Sequence, residues 1–564
     1  MSSRIAKTLA LMVLAVLALG ISSVSGAQQN RHDPRVLRED PRLAGDQIAP
    51  VLEGLGQHSR EVTANSERAK LFFNQGLRLT YGFNHQEALR AFKEAARLDP
   101  TCAMAYWGWA LVLGPNLNLP MRGEVVPQAW EAIQLALENR SHATQTERDL
   151  IDALATRYAK DASADRAPLD AAYAAAMEEL HAKVPDDSDV STLYAAALMN
   201  LSPWYYWTPD ARPLNRTSEL LAVLESVLES DPKHEGALHY YIHAIESVDP
   251  QRGVVAADTL RGLAPGAGHL QHMPSHIYMQ VGRYAEAYES NVLASVADEG
   301  YITQCQAQGI YPLNYYPHNL HFLVWAATMQ GRSKNALEAS IKVAARVPED
   351  HQGNDWALYQ TFMSMPLYTM VRFGFWEAIL AEPKPREGLT FLTGVYHYAR
   401  GLARAHLGHE KKAARELRAL EEVLADPATQ EMVVSFSNAE TLLTIASEVL
   451  QGEMDVAEQN YDEAIAHLDR AVRLEDSLLY NEPPSWHYPI RHTLGAALLA
   501  GGRAEEAEVV YWNDLAKNQE NGFALYGLIQ AHEAQGDETG AAAARKRFEA
   551  AWEAADVKLT SSRN

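Results

Sequence analysis

The sequence predicts an all-α chain, a solenoid of stacked antiparallel helix pairs. Three observations predict it. Almost every periodic segment repeats its apolar residues every three to four positions, which is the helical period. Pro and Gly fall at the ends of these segments, as helix boundaries rather than hairpin turns. One layout of small and aromatic residues recurs down the chain at a fixed pitch.

The layout is first visible at Phe72, Gly76, Ala88, Phe92, Ala95 and Pro100. The physics explains the spacing. Gly76 and Ala88 are small where two helices cross closely, Phe92 fills the groove to the next pair, and Pro100 stops the second helix. Further copies follow at Tyr278, Gly282, Tyr284, Ala287 and Ala294, then at Gly331 and Ala336, then at Gly401, Gly408, Ala413 and Leu417. Tyr461, Ala464, Leu468 and Ala471 form half a copy. Gly495, Gly502, Ala507 and Tyr511 form a clear one, and Gly527 with Gly536 a degenerate last one. A Met-Pro pair followed by Gly links Met273-Pro274 and Gly282 to Met365-Pro366 and Gly374. In these offsets the chain resembles tetratricopeptide-repeat proteins over most of Ser66 to Ala555, more loosely between Pro115 and Pro232. The resemblance implies a right-handed superhelix, with the first helix of each pair lining a concave groove that binds partners.

The N-terminus reads as an export signal. Arg4 and Lys7 precede an apolar run from Leu9 to Leu19, and Ser25 and Ala27 sit three and one before a cleavage point at Gln28. The run is shorter than the roughly 20 residues of a spanning helix. The expected organisation is a signal peptide over 1–27, a polar and poorly ordered segment over 28–60, and N-terminal helices over 61–233. His-rich repeats follow over 234–348, with a Tyr-rich loop insertion at 296–317, then C-terminal repeats over 349–555 and a frayed tail at 556–564. The mature protein is expected to be periplasmic or secreted, with no membrane segment. Cys102 and Cys305 then meet oxidising conditions, either paired or as two buried thiols.

The 564 residues carry 49 Lys plus Arg against 72 Asp plus Glu, a formal charge of −23, and no local basic patch. Phosphate backbones repel such a surface, so nucleic acid is not an expected partner. Two cysteines exclude a disulfide scaffold and a Cys-rich zinc module. No phosphate-cradling Gly loop, GxSxG elbow or HExxH is present.

Position within the repeat gives the 21 histidines meaning. In the copy starting near Glu235, Leu238, Tyr241, Ile242 and Ile245 fall at packing positions, and Gly236, His239, His243 and Glu246 fall at groove positions. His243 and Glu246 follow His239 by one and two helical turns, so the three share a stripe. In the next copy the groove positions are His269, His272 and His276. Pro274 places the helix start near His272 and leaves His269 in the approach loop. In the copy from Pro317 they include His318, His321 and Trp325. Neutral imidazole is the commonest transition-metal ligand, and a carboxylate often completes the set.

His239, His243, Glu246, His269, His272, His276, His318 and His321 are therefore candidate metal ligands. Their number exceeds one site, so some are orienting groups, or there are two metals, or the cluster is not metallic. A His/Glu set without thiolate suits Zn, Cu(II) or Fe. Tyr240, Tyr311, Tyr315, Tyr316, Trp325, Trp356 and Tyr359 flank it, as packing or as walls for an organic ligand. Two functions stay open: a metal centre acting on a small molecule, and a scaffold whose groove binds a peptide, protein or small-molecule ligand.

Overall fold

A computed structural model describes residues 46–305, 307, 311–434 and 436–563. The proposed signal peptide lies outside the described residues. Those residues are almost wholly α-helical, with a single two-stranded hairpin, Val433–Val434 against Ser437–Asn438. Consecutive helices pair antiparallel across short turns, as in Glu67–Tyr81 with His85–Leu98 and Arg491–Ala500 with Ala504–Lys517. This is the tetratricopeptide architecture. Among the described residues no helix is long and apolar enough to cross a membrane. The chain divides into two compact units. One runs to Tyr278 and resumes over Glu289–Asn319; the other holds Met279–Tyr288 and the chain from Leu320 onward.

Small-against-aromatic packing builds the pairs. A methyl built on Gly76 would stand 2.7 Å from the Phe92 ring, and one on Gly108 in the following helix 2.4 Å from the same ring. Phe92 is thus clamped between two helix backbones that only glycine allows so near. Gly495, Tyr511 and Gly527 repeat this clamp at the same spacing in the other unit. The alanines of the layout, Ala88, Ala287, Ala336, Ala413, Ala464 and Ala507, are all 0% exposed.

Four local expectations are corrected. Residues 46–60 are ordered, because charged groups find fixed partners: Arg60 forks onto Asp187 at 2.7 and 2.9 Å, His58 Nε2 meets Asp189 at 2.8 Å, and the Ile48 N–H donates to Glu94. The stretch 296–305 is the end of the helix Tyr284–Cys305 rather than a loop, and a π-helical turn, Tyr311–Tyr315, leads into Tyr316–Met329. The C-terminal residues are docked. Asp556 caps the helix Ser333–Ala344 by accepting from the Ser333 and Lys334 N–H groups, and Ser562 is fully buried against the His492 carbonyl. The two Met-Pro copies also differ: Pro274 opens a helix, whereas Pro366 lies inside Ala357–Arg372. Cys102 and Cys305 are not joined in a disulfide, and both are buried.

Candidate metal centre

The helix Glu235–Ile245 is buried on every residue, so it has no solvent face. Its predicted groove side is covered from within the same unit. Gly236 admits the Tyr81 ring to 2.4 Å of where a Cβ would stand, and this brings the end of the helix Glu67–Tyr81 onto the histidine stripe. The expected open groove is therefore closed at this point. His269 and His272 both lie on a short helix, Gly268–His272, and not in a loop and a helix start. Pro274 lacks an N–H, which breaks the ladder at Met273 but leaves the preceding turn free to close on the His269 carbonyl.

The rings meet in three groups. The ligand atoms of His239, His243 and His269 lie within 4.8 Å of one another, as do those of His272, His276 and His318, and those of His243, Glu246 and His276. His321 joins none of these groups. It belongs to the other unit, where its ring packs edge-on to Phe362 at 6.0 Å.

Hydrogen bonds orient His239 and His272 by Nδ1, and Glu246 stands beside Nδ1 of two further rings. His239 Nδ1–H donates to the Tyr81 carbonyl at 2.5 Å. A carbonyl only accepts, so the neutral ring turns the lone pair of Nε2 inward. His272 Nδ1–H donates to Asn291 Oδ1 at 2.7 Å. His276 Nδ1 lies 2.9 Å from Glu246 Oε2, and His243 Nδ1 lies 3.5 Å from Glu246 Oε1. The Nε2 atoms then face one another: His272 to His276 at 2.8 Å and His239 to His269 at 3.2 Å. His243 Nε2 is buried without a hydrogen-bond partner among the described residues.

Burial drives the imidazoles of His239, His243, His269 and His272 well below their ordinary range, and neighbouring rings add to the effect. They are therefore neutral, which is the ligating form. Burial of His321 brings it to about 3. Burial raises the Glu246 carboxyl, with His276 pulling the other way. Glu246 also follows the last residue of its helix, where the peptide dipole disfavours an anion.

Phe83 and Trp204 close the site and escaped the sequence reading. Phe83 stacks on His243 (interplanar angle 10°) and His269 (28°) and lies 4.4 Å from His239, ring to ring. Trp204 meets His243 edge-on at 5.1 Å and is 36% exposed, so it stands at the rim. Both hold left-handed backbone, at φ 55 and 64. Non-glycine residues seldom adopt it, and it clusters where a side chain must be aimed. Tyr315 and Tyr240 complete the wall, 5.0 Å from His269 and 5.4 Å from His239.

A second charged cluster, also unforeseen, lies in the same unit. Asp189 meets His58 at 2.8 Å, His234 at 3.3 Å and Arg60 at 3.3 Å, and accepts from the Tyr81 hydroxyl at 2.6 Å. The guanidinium already neutralises the carboxylate, so this cluster reads as a clamp on the N-terminal segment rather than a cation site.

No family model matches the chain, and no curated protein matches it. Among solved structures it is similar to the Cut9–Hcn1 hetero-tetramer of the APC/C, at 13% identity over 86% of this chain and 73% of that chain, with a TM-score of 0.28. It is also similar to a human IFIT1 dimer with m7Gppp-AAAA, at 12% identity over 87% and 91%, with a TM-score of 0.28. The architecture described above rests on the chain's own helix pairs and not on these likenesses.

Proposed function

We propose that the protein is an exported metalloprotein whose imidazole cluster holds a transition metal, and that the bound metal acts on a small molecule reaching it past Trp204. One observation carries the reading. Two groups of three histidines, His239 with His243 and His269, and His272 with His276 and His318, each bring their ligand atoms within 4.8 Å of one another. Neutral imidazoles gathered this closely are the donor set that a transition metal takes. Orienting partners on Nδ1, namely a carbonyl, an amide and a carboxylate, are the usual second layer behind metal-bound histidines. The donor set of imidazoles without thiolate favours Zn, Cu(II) or Fe. The export reading is supported by the basic, apolar and small-residue pattern of residues 1–27.

The test is elemental analysis of the protein isolated from the compartment to which it is exported, with thermal melting before and after chelation. Bound metal, and a melt that falls on chelation and recovers on adding the metal, is the expected result. Protein that isolates metal-free and does not melt higher with Zn, Cu(II) or Fe(II) overturns the reading in favour of a peptide-binding scaffold.

A further inference from the structure

We infer that the cluster takes two ions, one in the triad His239, His243 and His269 and one in the triad His272, His276 and His318, with Glu246 orienting both triads rather than ligating. This rests on the metal reading above and specifies it.

The two triads share no residue, and within each the ligand atoms lie within 4.8 Å of one another. An imidazole nitrogen binds such metals at about 2.0–2.1 Å. One ion therefore cannot draw in six rings that face two different points. The contacts divide the same way. His239 faces His269 and His272 faces His276, each pair through Nε2. Across the divide the rings pack against one another, His243 with His276 at 5.3 Å and His269 with His272 at 5.7 Å between centroids, so the division lies in the nitrogen contacts and not in the ring packing.

Glu246 sits at that divide. Its Oε1 lies 3.5 Å from Nδ1 of His243 in one triad, and its Oε2 lies 2.9 Å from Nδ1 of His276 in the other. Nδ1 and Nε2 lie on opposite sides of an imidazole, so each ring that Glu246 holds by Nδ1 turns Nε2 away from it. One carboxylate thus aims two rings at two separate points. A single ion seated on His243, Glu246 and His276 would use the Nδ1 atoms instead. It would leave His239, His269, His272 and His318 unused. Three imidazoles per ion also leave open coordination positions, the arrangement of catalytic rather than structural sites.

The test loads metal-free full-length protein with Co(II) and, separately, Cu(II), removes excess by desalting, and counts ions per chain. Two ions are expected. His239→Ala and His318→Ala should each retain one, and the double variant none. Glu246→Gln should still saturate with two ions, each held about 10–100-fold more weakly. The Cu(II) form should give a spin-coupled resonance spectrum that becomes a single-ion spectrum in either triad variant. One ion per chain, lost in both single variants, overturns this inference and leaves the metal reading standing. No ion of either kind overturns both. The wild-type count decides the matter even where a variant fails to fold.

Discussion

Replacing Gly108 by Ala tests the packing rule that builds the array. The added methyl would stand 2.4 Å from the Phe92 ring, where carbon atoms ordinarily approach to about 3.5–4.0 Å. The ring has no room to retreat. Phe92 is 0% exposed, and a methyl on Gly76 would stand only 2.7 Å from its other side. The strain must spread the helices Glu67–Tyr81 and Ala103–Leu113 or force Phe92 off its rotamer. Overpacking of this kind costs about 1–3 kcal/mol, and the two-sided clamp puts Gly108→Ala near the upper end. Adding Phe92→Leu makes room for the methyl, so the double variant should recover at least about 1 kcal/mol relative to the sum of the single changes. A long repeat array has no single unfolding free energy, so the assay is hydrogen exchange read on peptides spanning 67–113. Wild-type exchange in Gly108→Ala, or strictly additive effects in the double variant, would refute the clamp.

The N-terminal clamp, the aromatic wall and the buried histidines give three more tests. Asp189→Asn removes the carboxylate shared by His58, Arg60, His234 and Tyr81. It should cost about 3 kcal/mol and speed proteolysis within residues 46–62, and unchanged cleavage there would count against the clamp. Phe83→Gly and Phe83→Ala both remove the ring over His243 and His269, and both should speed metal release. At φ 55 the Gly variant should be the more stable by about 1 kcal/mol, and equal melting of the two would show that no strain is held there. Burial lowers the pKa of His492, which is 0% exposed, so the unfolded chain takes up its proton first as pH falls. Its contribution is complete above about pH 6.5 and declines below that by up to about 1.4 kcal/mol per pH unit. Burial alone would raise its partner Asp514, but hydrogen bonds from His492 and Asn521 hold it low. Its contribution is present above about pH 3.9 and is lost as pH falls through its depressed value. A melting temperature flat from pH 7.5 to 4 would refute the His492 assignment, and one flat from pH 4 to 2 the Asp514 assignment.

The helix pairs were legible because their packing is local. Gly76, Ala88 and Phe92 meet within one pair, and a repeating sequence displays the same meeting many times over. Helical phase also carried the histidines on one stripe, since His239 and His243 are separated by one turn of one helix. It did not show what lies opposite that stripe. Phe83 reaches it from a left-handed turn after Tyr81, and Trp204 from an irregular segment, and no periodicity announces either. His321 shows the reverse limit. It follows His318 by one turn, yet it falls in the other unit. The ordered ends were missed for the same reason. Arg60 and Asp556 look like solvated charges until Asp187 and the open N-terminus of the helix Ser333–Ala344 come within reach.

The closure of the groove over His239 and His243 bears on the two functions that sequence left open, and it supports the metal reading proposed above. An array that reads a peptide keeps its inner helices half exposed, so that their polar groups trade water for the partner. Here the helix Glu235–Ile245 is buried on every residue. Neutral rings, an acidic group at the negative end of a helix and a hydrogen-bond acceptor behind three of the rings leave the cluster without a positive group among the described residues. An apolar core at this point would be more stable than an arrangement of buried polar groups left without their counterpart. On the reading proposed above, a divalent cation would supply that counterpart. Phe83 and Tyr81 cover His239, and Phe83 also covers His243 and His269. On the reading proposed above, Trp204 at the rim beside His243 is where a small molecule would reach a bound metal, and Trp204→Ala should change the KM of any metal-dependent reaction more than it changes metal content.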